Sequence, residues 1–402
     1  ELIQGAIFQQ GKEKEEKNEF VPAAQIFESL VARYPSSKYA DKALFNAAID
    51  YIKADRADKA IQVSSQFLQK YPNSDLAPQM LIALATYFDE KLDYPNTARY
   101  YELYASKDPK SASAPDALFN AAVFREQLGQ YNQAIANYQS HEKAYPTSED
   151  RMTVVFSQGL IYEKQKKYAD AIQTFDRFAK TYGKRSPKSV EAYYRMAQNQ
   201  EKLNQLTNAK TSYQKTVEMN KRVGSNDQAN HYASKAMMVL LEKDFRDYMN
   251  IKLVMPQNVL ERNIKRKFDL LKVLKKEYLK IIKMNDPEVG IEALYKLGLC
   301  YQDFSNALFS APMPSNLSPE EVQLYQTELQ NQALPIEEQA IESFESALAK
   351  SFELRVYTDT SRDAYKQLSQ YKPKEYPPVR FELIEDTYVV EPWSSQYAGG
   401  KK

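Results

Sequence analysis

The sequence predicts an all-α fold, in which a solenoid of antiparallel helix pairs continues into an irregular helical part. The first observation is a dipeptide that recurs every 37 residues, as Tyr34-Pro35, Tyr71-Pro72, Asp108-Pro109, Tyr145-Pro146 and Tyr182-Gly183. The second is composition, because the 402 residues include only 10 Gly but 30 Tyr and 18 Phe. Few glycines and many large side chains are typical of packed helices.

Each 37-residue unit also has a small residue at two fixed positions, 12 residues apart. The first position holds Gly11, Ala48, Ala85, Ala122 and Gly159, and the second holds Ala23, Ala60, Thr97, Ala134 and Ala171. A one-residue insertion near Ser186 moves the sixth pair to Ala197 and Ala209. The apolar periodicity breaks between the two positions, which indicates a turn. Each unit is therefore predicted to be a hairpin of helix A and helix B, whose small residues let the backbones approach closely.

This order of small, aromatic and proline positions resembles the tetratricopeptide repeat over about residues 5–220. The longer period and the Tyr-Pro-Asn-Ser loop at 71–74 are similar to those of tetratricopeptide proteins in bacterial envelope assembly. The sequence departs from the repeat pattern at Ser64, Thr97, His141 and Phe178. The resemblance implies a right-handed superhelix and a non-enzymatic role in binding other proteins.

Four segments are expected along the chain. They are six hairpins at 1–222, two long helices within 223–286, a degenerate hairpin at 287–370 with an inserted loop at 302–334, and a Pro-rich extended tail at 371–402. The insertion contains three prolines and a helix start at Ser318, which predicts a loop and a short helix. We expect the tail to wrap over the last helices, with β-prone runs at Val379–Ile384 and Thr387–Val390.

The second half of the chain resembles tetratricopeptide proteins of the delta-proteobacterial gliding-motility group. The resemblance is carried by the following residues: Gly298–Phe304, Ala311-Pro312-Met313-Pro314, Leu317–Glu321, Ala340–Tyr357 and Tyr376-Pro377. It implies a place in an envelope or polar motility assembly and says little about mechanism.

No residue pattern suggests catalysis, so we expect no enzymatic activity. His141 and His231 lack Cys, Asp or Glu at metal-ligand spacing, which predicts no metal site. Cys300 is the only cysteine and lies on an apolar helix face with no histidine nearby, which favours a packed thiol over a nucleophile. Phosphate-binding Gly-rich loops are absent, and we expect no cofactor.

Charge and hydropathy also exclude two classes of partner. The chain has 54 Lys+Arg and 53 Asp+Glu, a balance that predicts no nucleic-acid binding. No apolar run approaches the ~20 residues of a membrane span, so a direct span is not expected. The expected partners are other proteins, as a peptide, a helix or a folded domain, within a larger envelope complex.

Two surfaces are candidates for binding such a partner. The resemblance places the concave face on helix A, at Phe45, Ile49, Ile52, Lys53, Phe119, Val123, Phe156, Leu160 and Tyr194. Aromatics at helical spacing more often fill a core than a binding site, so packing is the favoured interpretation of this stripe and a binding groove is the alternative. The Lys and Asn constellation with which some family members clamp a terminal carboxylate is absent here, and a helix or extended segment is the expected ligand.

The second surface is the helix expected at 257–284, where nine basic residues outnumber three acidic ones. Its basic residues include Arg262, Lys265, Arg266, Lys272 and Lys276. They form either a solvated face or a docking face for an acidic protein or an anionic lipid surface. The same helix carries an apolar stripe that must pack against the solenoid or a partner: Leu260, Ile264, Phe268, Leu271, Leu274, Tyr278 and Ile281.

The leading hypothesis is a protein-interaction scaffold of a bacterial envelope or motility assembly, periplasmic or outer-membrane-associated, with an upstream signal outside this sequence. One alternative is a cytoplasmic adaptor of a small-GTPase polarity system. Another is a subunit associated with the cell wall or with glycans, because the many tyrosines could stack on sugars.

Overall fold

The computed structural model describes residues 1–183, 186–224, 226–315 and 317–378. These residues form 17 α-helices and no strand, which confirms the predicted all-α class. The chain divides into two compact units, Glu1–Ala236 and Met237–Lys402. The β-prone runs predicted at Val379–Ile384 and Thr387–Val390 lie outside the described residues.

Unit 1 contains six consecutive helical hairpins. Their helices are α1 (Leu2–Glu16), α2 (Phe20–Arg33), α3 (Ala40–Lys53), α4 (Ala57–Lys70), α5 (Ala77–Glu90), α6 (Tyr94–Lys107), α7 (Ala114–Gln127), α8 (Tyr131–Ala144), α9 (Arg151–Lys164), α10 (Tyr168–Tyr182), α11 (Lys188–Lys202) and α12 (Leu206–Val223). From α2 to α11, each helix packs on the helix before it and the helix after it, so the hairpins form a repeating stack. This is the solenoid that the period predicts.

The turn inside every hairpin has the same backbone geometry. The second residue after the end of helix A has a positive φ, between 52° and 70°, and these residues are Asn18, Asp55, Leu92, Gly129, Lys166 and Asn204. The next amide then donates back into the last turn of helix A, as Arg56 does to the Tyr51 carbonyl at 2.9 Å. This bond is the mark of a Schellman cap, which satisfies carbonyls that the helix end leaves unpaired.

The small residues of helix A lie directly against an aromatic ring of helix B. At Gly11 a Cβ atom would come within 2.5 Å of the Phe27 ring, and at Gly159 within 2.6 Å of the Phe175 ring. Both rings are fully buried. Glycine is therefore required where the facing side chain is a buried Phe, which confirms the close approach inferred from the sequence.

Unit 2 starts within α13 (Asp227–Met249) and continues through α14 (Gln257–Lys283), α15 (Pro287–Phe309), α16 (Pro319–Leu354) and α17 (Asp359–Tyr371). Helices α15 and α16 form a hairpin like those of unit 1, because a Cβ at Gly298 would meet the Phe344 ring at 2.6 Å. The degenerate seventh hairpin thus keeps the same seam. Helix α17 packs on both α15 and α16.

The insertion expected at 302–334 as a loop with a short helix is mostly helical, and the connection between the two helices is confined to 310–318. Most of these residues instead lengthen the hairpin, because α15 continues to Phe309 and α16 begins at Pro319. Ser318 and Glu321 form a capping box at the start of α16, and the helix passes through Pro335 without ending. Proline removes one intrahelical hydrogen bond, and Ala333 and Ala340 on either side of it are buried.

After α17 the described chain turns back onto the helices it has just left. The Lys372 ammonium donates to the Glu345 carboxylate at 2.6 Å, and the Tyr365 hydroxyl donates to the Pro377 carbonyl at 2.8 Å. The start of the Pro-rich tail at 371–402 therefore lies against α16 and α17.

Candidate protein-binding surfaces

The aromatic residues of the predicted concave stripe lie in the seams of their own hairpins. The Phe156 ring lies 5.3 Å from that of Phe175, and the Tyr194 ring 5.6 Å from that of Tyr213. Phe156 is only 3% exposed and Tyr194 9%. A partner could reach these two side chains only by opening the hairpin.

Phe45 and Phe119 are half-buried and make the same kind of contact. The Phe45 ring lies 5.8 Å from Phe67, and the Phe119 ring 6.0 Å from Tyr138. Such ring pairs stabilise the seam beyond their buried area, by about 0.5–1.5 kcal/mol each. Packing thus accounts for most of the aromatic surface in the stripe.

The aliphatic residues of the stripe are the part that a ligand can touch. Ile49, Val123 and Leu160 each follow the small residue of helix A by one position, and all three are half-buried. Ile52 is also half-buried, and the exposed Lys53 holds its ammonium 5.3 Å from the centre of the Phe20 ring. We call Ile49, Val123 and Leu160 the helix-A row.

Ion pairs connect successive hairpins beside this row. Glu126 accepts a hydrogen bond from the Lys164 ammonium at 2.7 Å, and Glu163 accepts one from the Arg195 guanidinium at 2.8 Å. Burial raises the pKa of Glu163 more than the Arg195 charge lowers it. The sequence signal for this ladder is a carboxylate four residues after the small residue of helix A.

A third acid lies at the joint between the first two hairpins. Asp50 is fully buried, and neither of its carboxylate oxygens has a hydrogen-bond donor. Burial and then the neighbouring Glu15 carboxyl raise the pKa of Asp50 to about 7. The Asp50 carboxyl group therefore changes its protonation near neutral pH in the folded chain.

The five basic residues predicted to form a face on α14 are accessible, and their role in docking stays a prediction. These residues, Arg262, Lys265, Arg266, Lys272 and Lys276, are all exposed. Lys267 in the same run is buried, donates to the Tyr248 carbonyl at 3.1 Å and pairs with Asp303. The face therefore contains one charge fewer than the sequence count suggests.

Next to this face lies an apolar groove that the sequence did not reveal. Two adjoining cavities of about 590 and 490 Å³ share Glu261, Ile264 and Gln332. Helix α14 forms one wall, the amino-terminal half of α16 forms the other, and the end of α15 contributes the buried Phe304 and Leu308. Most of the apolar stripe of α14 is buried, but Ile264 is only half-buried and Phe268 is exposed at this groove.

Comparison with protein families identifies the repeats. The tetratricopeptide repeat model matches residues 116–148, 154–184 and 191–219. The chain contains tetratricopeptide repeats. A second model, that of the outer membrane lipoprotein YfiO, matches residues 2–105, the first three hairpins. The predicted envelope-type tetratricopeptide resemblance is thereby confirmed, whereas the gliding-motility context stays a prediction.

Solved structures give weaker likenesses. The C-terminal part of a TPR repeat-containing protein from Cytophaga hutchinsonii is 16% identical, with 69% of this chain and 99% of that chain covered, at a TM-score of 0.34. A tetratricopeptide repeat protein from Parabacteroides merdae is 12% identical, with 67% and 100% covered, at 0.31. PilW, described as a type IV pilus biogenesis factor, is 14% identical, with 56% and 97% covered, at 0.28. At such low scores, these likenesses do not define the fold of this chain.

No curated protein sequence matches the chain significantly. Among the described residues, no helix is both long and apolar enough to cross a membrane.

Proposed function

We propose that this protein is a non-enzymatic scaffold that binds other proteins within a bacterial envelope assembly. The observation that carries the proposal is the pair of family matches within unit 1, where an outer membrane lipoprotein model covers 2–105 and tetratricopeptide repeats follow from 116. Repeated hairpins of this type present an extended surface built from many equivalent positions. Such a surface suits a partner that is itself elongated.

The helix-A row is the proposed contact surface for this partner. Its three residues lie at the same position in hairpins two, four and five, so their spacing follows the stack. Polar groups lie beside the row, among them Lys53, Glu126 and Glu163. An apolar line with a polar rim fits an amphipathic helix or an extended segment of a partner protein.

The proposed location is the periplasmic side of the outer membrane. The lipoprotein match supports this location over the cytoplasmic alternative. A role in a motility assembly is the narrower form of the proposal, and it is supported only by the resemblance of the second half of the chain.

Site-specific photo-crosslinking in the source bacterium tests the proposal. Benzoylphenylalanine replaces Ile49, Val123 or Leu160 in the full-length protein, and matched controls carry it at Gln62 or Gln139, which are exposed on helix B. We expect one partner to be crosslinked from all three row positions, and the product to be in the envelope fraction.

Two results would count against the proposal. One is an identical set of products from the helix-B controls, because it would mean that the row is not the contact surface. The other is a partner found only in the cytoplasmic fraction. Val123→Glu in a chain that carries benzoylphenylalanine at position 49 or 160 should abolish the crosslink while circular dichroism stays unchanged.

A further inference from the structure

The groove between α14 and α16 leaves apolar side chains uncovered by any described element. Phe268 on α14 is 45% exposed and Leu324 on α16 is 70% exposed, and both line the groove. The buried Phe304 and Leu308 of α15 line it as well. Uncovered apolar surface of this kind marks a place where another molecule packs.

The groove has the length and the walls of a helix-binding site. Its lining follows α16 from Glu321 to Ile336, a rise of about 22 Å, or about four helical turns. Both walls are helices whose backbone groups are already paired within their own helix, so an extended ligand would find few backbone partners there. A helical ligand satisfies its own backbone and needs only side-chain contacts from the groove.

The two rims of the groove carry opposite charge. On the α14 side, the exposed Lys265 lines the groove, and Arg262 and Arg266 adjoin it in a neighbouring cleft. On the α16 side, the exposed Glu321 and Glu328 line the groove. An anionic bilayer would be attracted by one rim and repelled by the other, whereas a helix with one acidic edge and one basic edge matches both.

The α14 rim stays positive despite its own acidic residues. Glu261 lines the groove and Asp269 the neighbouring cleft, among the three cations. Lys272 adds a fourth cation, because its ammonium lies 4.2 Å from the centre of the Phe268 ring. Four cations thus outnumber two carboxylates, so this rim favours acidic groups on a ligand.

We propose that the groove binds an amphipathic helix of another protein. The apolar face of this helix packs against Phe268 and Leu324, its acidic edge lies along α14, and its basic edge lies along α16. The buried apolar contacts supply most of the affinity, and the exposed charges of the rims set the orientation. The site lies within unit 2, so it is a second partner-binding surface, independent of the helix-A row in unit 1.

Binding of a designed peptide to the purified full chain tests this inference. The probe is a fluorescein-labelled synthetic helix of about 15 residues, with leucines on one face, glutamates along one edge and lysines along the other. We expect saturable binding by fluorescence anisotropy, with a Kd at or below about 100 μM. A reference peptide with the same leucines but with lysines along both edges should bind about fivefold more weakly.

Two pairs of variants locate the peptide in the groove. Leu324→Gln should weaken binding about tenfold through the lost apolar contact. Its matched control is Leu334→Gln, because Leu334 is 49% exposed on the same helix but lines neither cavity. Lys265→Glu should weaken the probe about fivefold and strengthen the reference peptide, whereas Lys283→Glu, at an exposed site near the end of α14, should change neither. Circular dichroism should be the same for all four variants.

The absence of saturable binding, equal affinities for the two peptides, or equal effects of Leu324→Gln and Leu334→Gln would each overturn the proposal. So would a dimer, seen by sedimentation of the full chain, that Leu324→Gln dissociates, because a second copy would then fill the groove. Cosedimentation with phosphatidylglycerol vesicles that Leu324→Gln abolishes would assign the surface to a membrane instead. Photo-crosslinking from the helix-A row does not depend on this groove, so failure of one proposal leaves the other intact.

Discussion

At the scale of single residues, the turn of the third hairpin contains a strained position. Leu92 has a φ of 59° and is 69% exposed, so it adopts left-handed backbone geometry without packing that would offset the cost. The equivalent residue in the fourth hairpin is Gly129, with a φ of 70° and no neighbour within 4 Å of a Cβ atom. Leu92 and Gly129 thus occupy the same left-handed position of the hairpin turn, but only glycine adopts that geometry without strain.

Leu92→Gly should therefore raise the free energy of unfolding by about 0.5–1 kcal/mol, because the strain at a left-handed Leu exceeds the entropy that Gly adds to the unfolded chain. Gly129→Leu should lower it by about 1 kcal/mol, since the new side chain meets only the backbone penalty. Urea unfolding followed by circular dichroism measures both. Shifts of the same sign would refute the account.

Asp50 predicts a dependence of stability on pH. Its pKa is about 7 in the folded chain against an ordinary value of 3.8, so between these values the folded state holds a proton that the unfolded state has lost. The free energy of unfolding contributed by this group is therefore highest below pH 4, falls as the pH rises through this window, and is constant above it. Lys12 and Lys53 oppose the shift, but burial and Glu15 outweigh them.

Asp50→Asn cannot ionise and should be more stable than the wild type at pH 8, by about 1–2 kcal/mol after allowance for screening. The difference should vanish near pH 4. Urea unfolding at pH 4, 6 and 8 gives the comparison, with the exposed Asp58→Asn as control. A variant that is less stable than wild type at pH 8 would show that the carboxylate is satisfied in the folded chain.

The binding stripe illustrates what single residues could not reveal. The 37-residue period alone was enough to place Phe156, Leu160 and Tyr194 on the A helices of their hairpins. Whether a ring turns into its own hairpin depends on the size of the facing residue on helix B, here Phe175 and Tyr213. That choice is made by packing between residues far apart in the sequence, so periodicity could not resolve it.

At the scale of helices, the buried Lys267 fixes α14 to the end of α13. Its ammonium donates to the carbonyls of Tyr248 and Ile251, pairs with Asp303, and lies 4.2 Å from the centre of the Tyr248 ring. A buried cation is tolerated only with this degree of pairing. Removal of the charge leaves the Ile251 carbonyl and the Asp303 carboxylate without the Lys267 donor, whereas the Tyr248 carbonyl still accepts from the Ile251 amide at 3.2 Å.

Lys267→Met should lower the free energy of unfolding of unit 2 by about 3–5 kcal/mol. The double variant Lys267→Met, Asp303→Leu should regain part of this loss, because the unpaired carboxylate is then absent. Lys276→Met is the matched control at an exposed site of the same helix and should change stability by less than about 0.5 kcal/mol. Equal losses for Lys267 and Lys276 would mean that the buried pairing contributes nothing.

Helices were predictable to different degrees along the chain. The six hairpins of unit 1 followed from a strict period, since each repetition confirms the others. The segment 302–334 occurs only once in the sequence, so no repetition supports its interpretation, and its prolines suggested that helices end there. The structure shows that Pro319 starts a helix and Pro335 lies within it, so the meaning of each proline depended on tertiary packing. The groove of unit 2 was missed for the same reason, because α14 and the start of α16 meet only in the fold.

At the scale of the whole molecule, the stack of hairpins determines how stability is distributed. Each helix of unit 1 contacts its neighbours along the chain, and stability in such arrays is close to a sum of local terms. Cys300 lies buried in α15 of unit 2, and burial raises the pKa of its thiol. It is the only cysteine of the chain, so its reaction with a thiol reagent reports the opening of unit 2 alone.

The position of Cys300 in unit 2 predicts that its labelling responds to substitutions in unit 2 and not to substitutions in unit 1, which change circular dichroism alone. Gly159→Ala drives a methyl group against the Phe175 ring and should lower the stability of unit 1 by about 1–3 kcal/mol, which shifts the urea transition seen by circular dichroism. Labelling of Cys300 across the same urea series should not move. Lys267→Met should lower the urea concentration at which Cys300 is labelled by at least about 1 M. This shift is the expected loss of stability divided by a typical urea m-value.

Gly5→Ala is the control for the methyl group, because its Cβ would lie 3.6 Å from Tyr39, an ordinary contact, and the helix gains from losing a glycine. If Gly159→Ala moved the labelling of Cys300 as far as the circular dichroism transition, the chain would unfold as one cooperative body. Local additivity would then fail, and the coupling would have to pass from the fifth hairpin through the helices between it and α15.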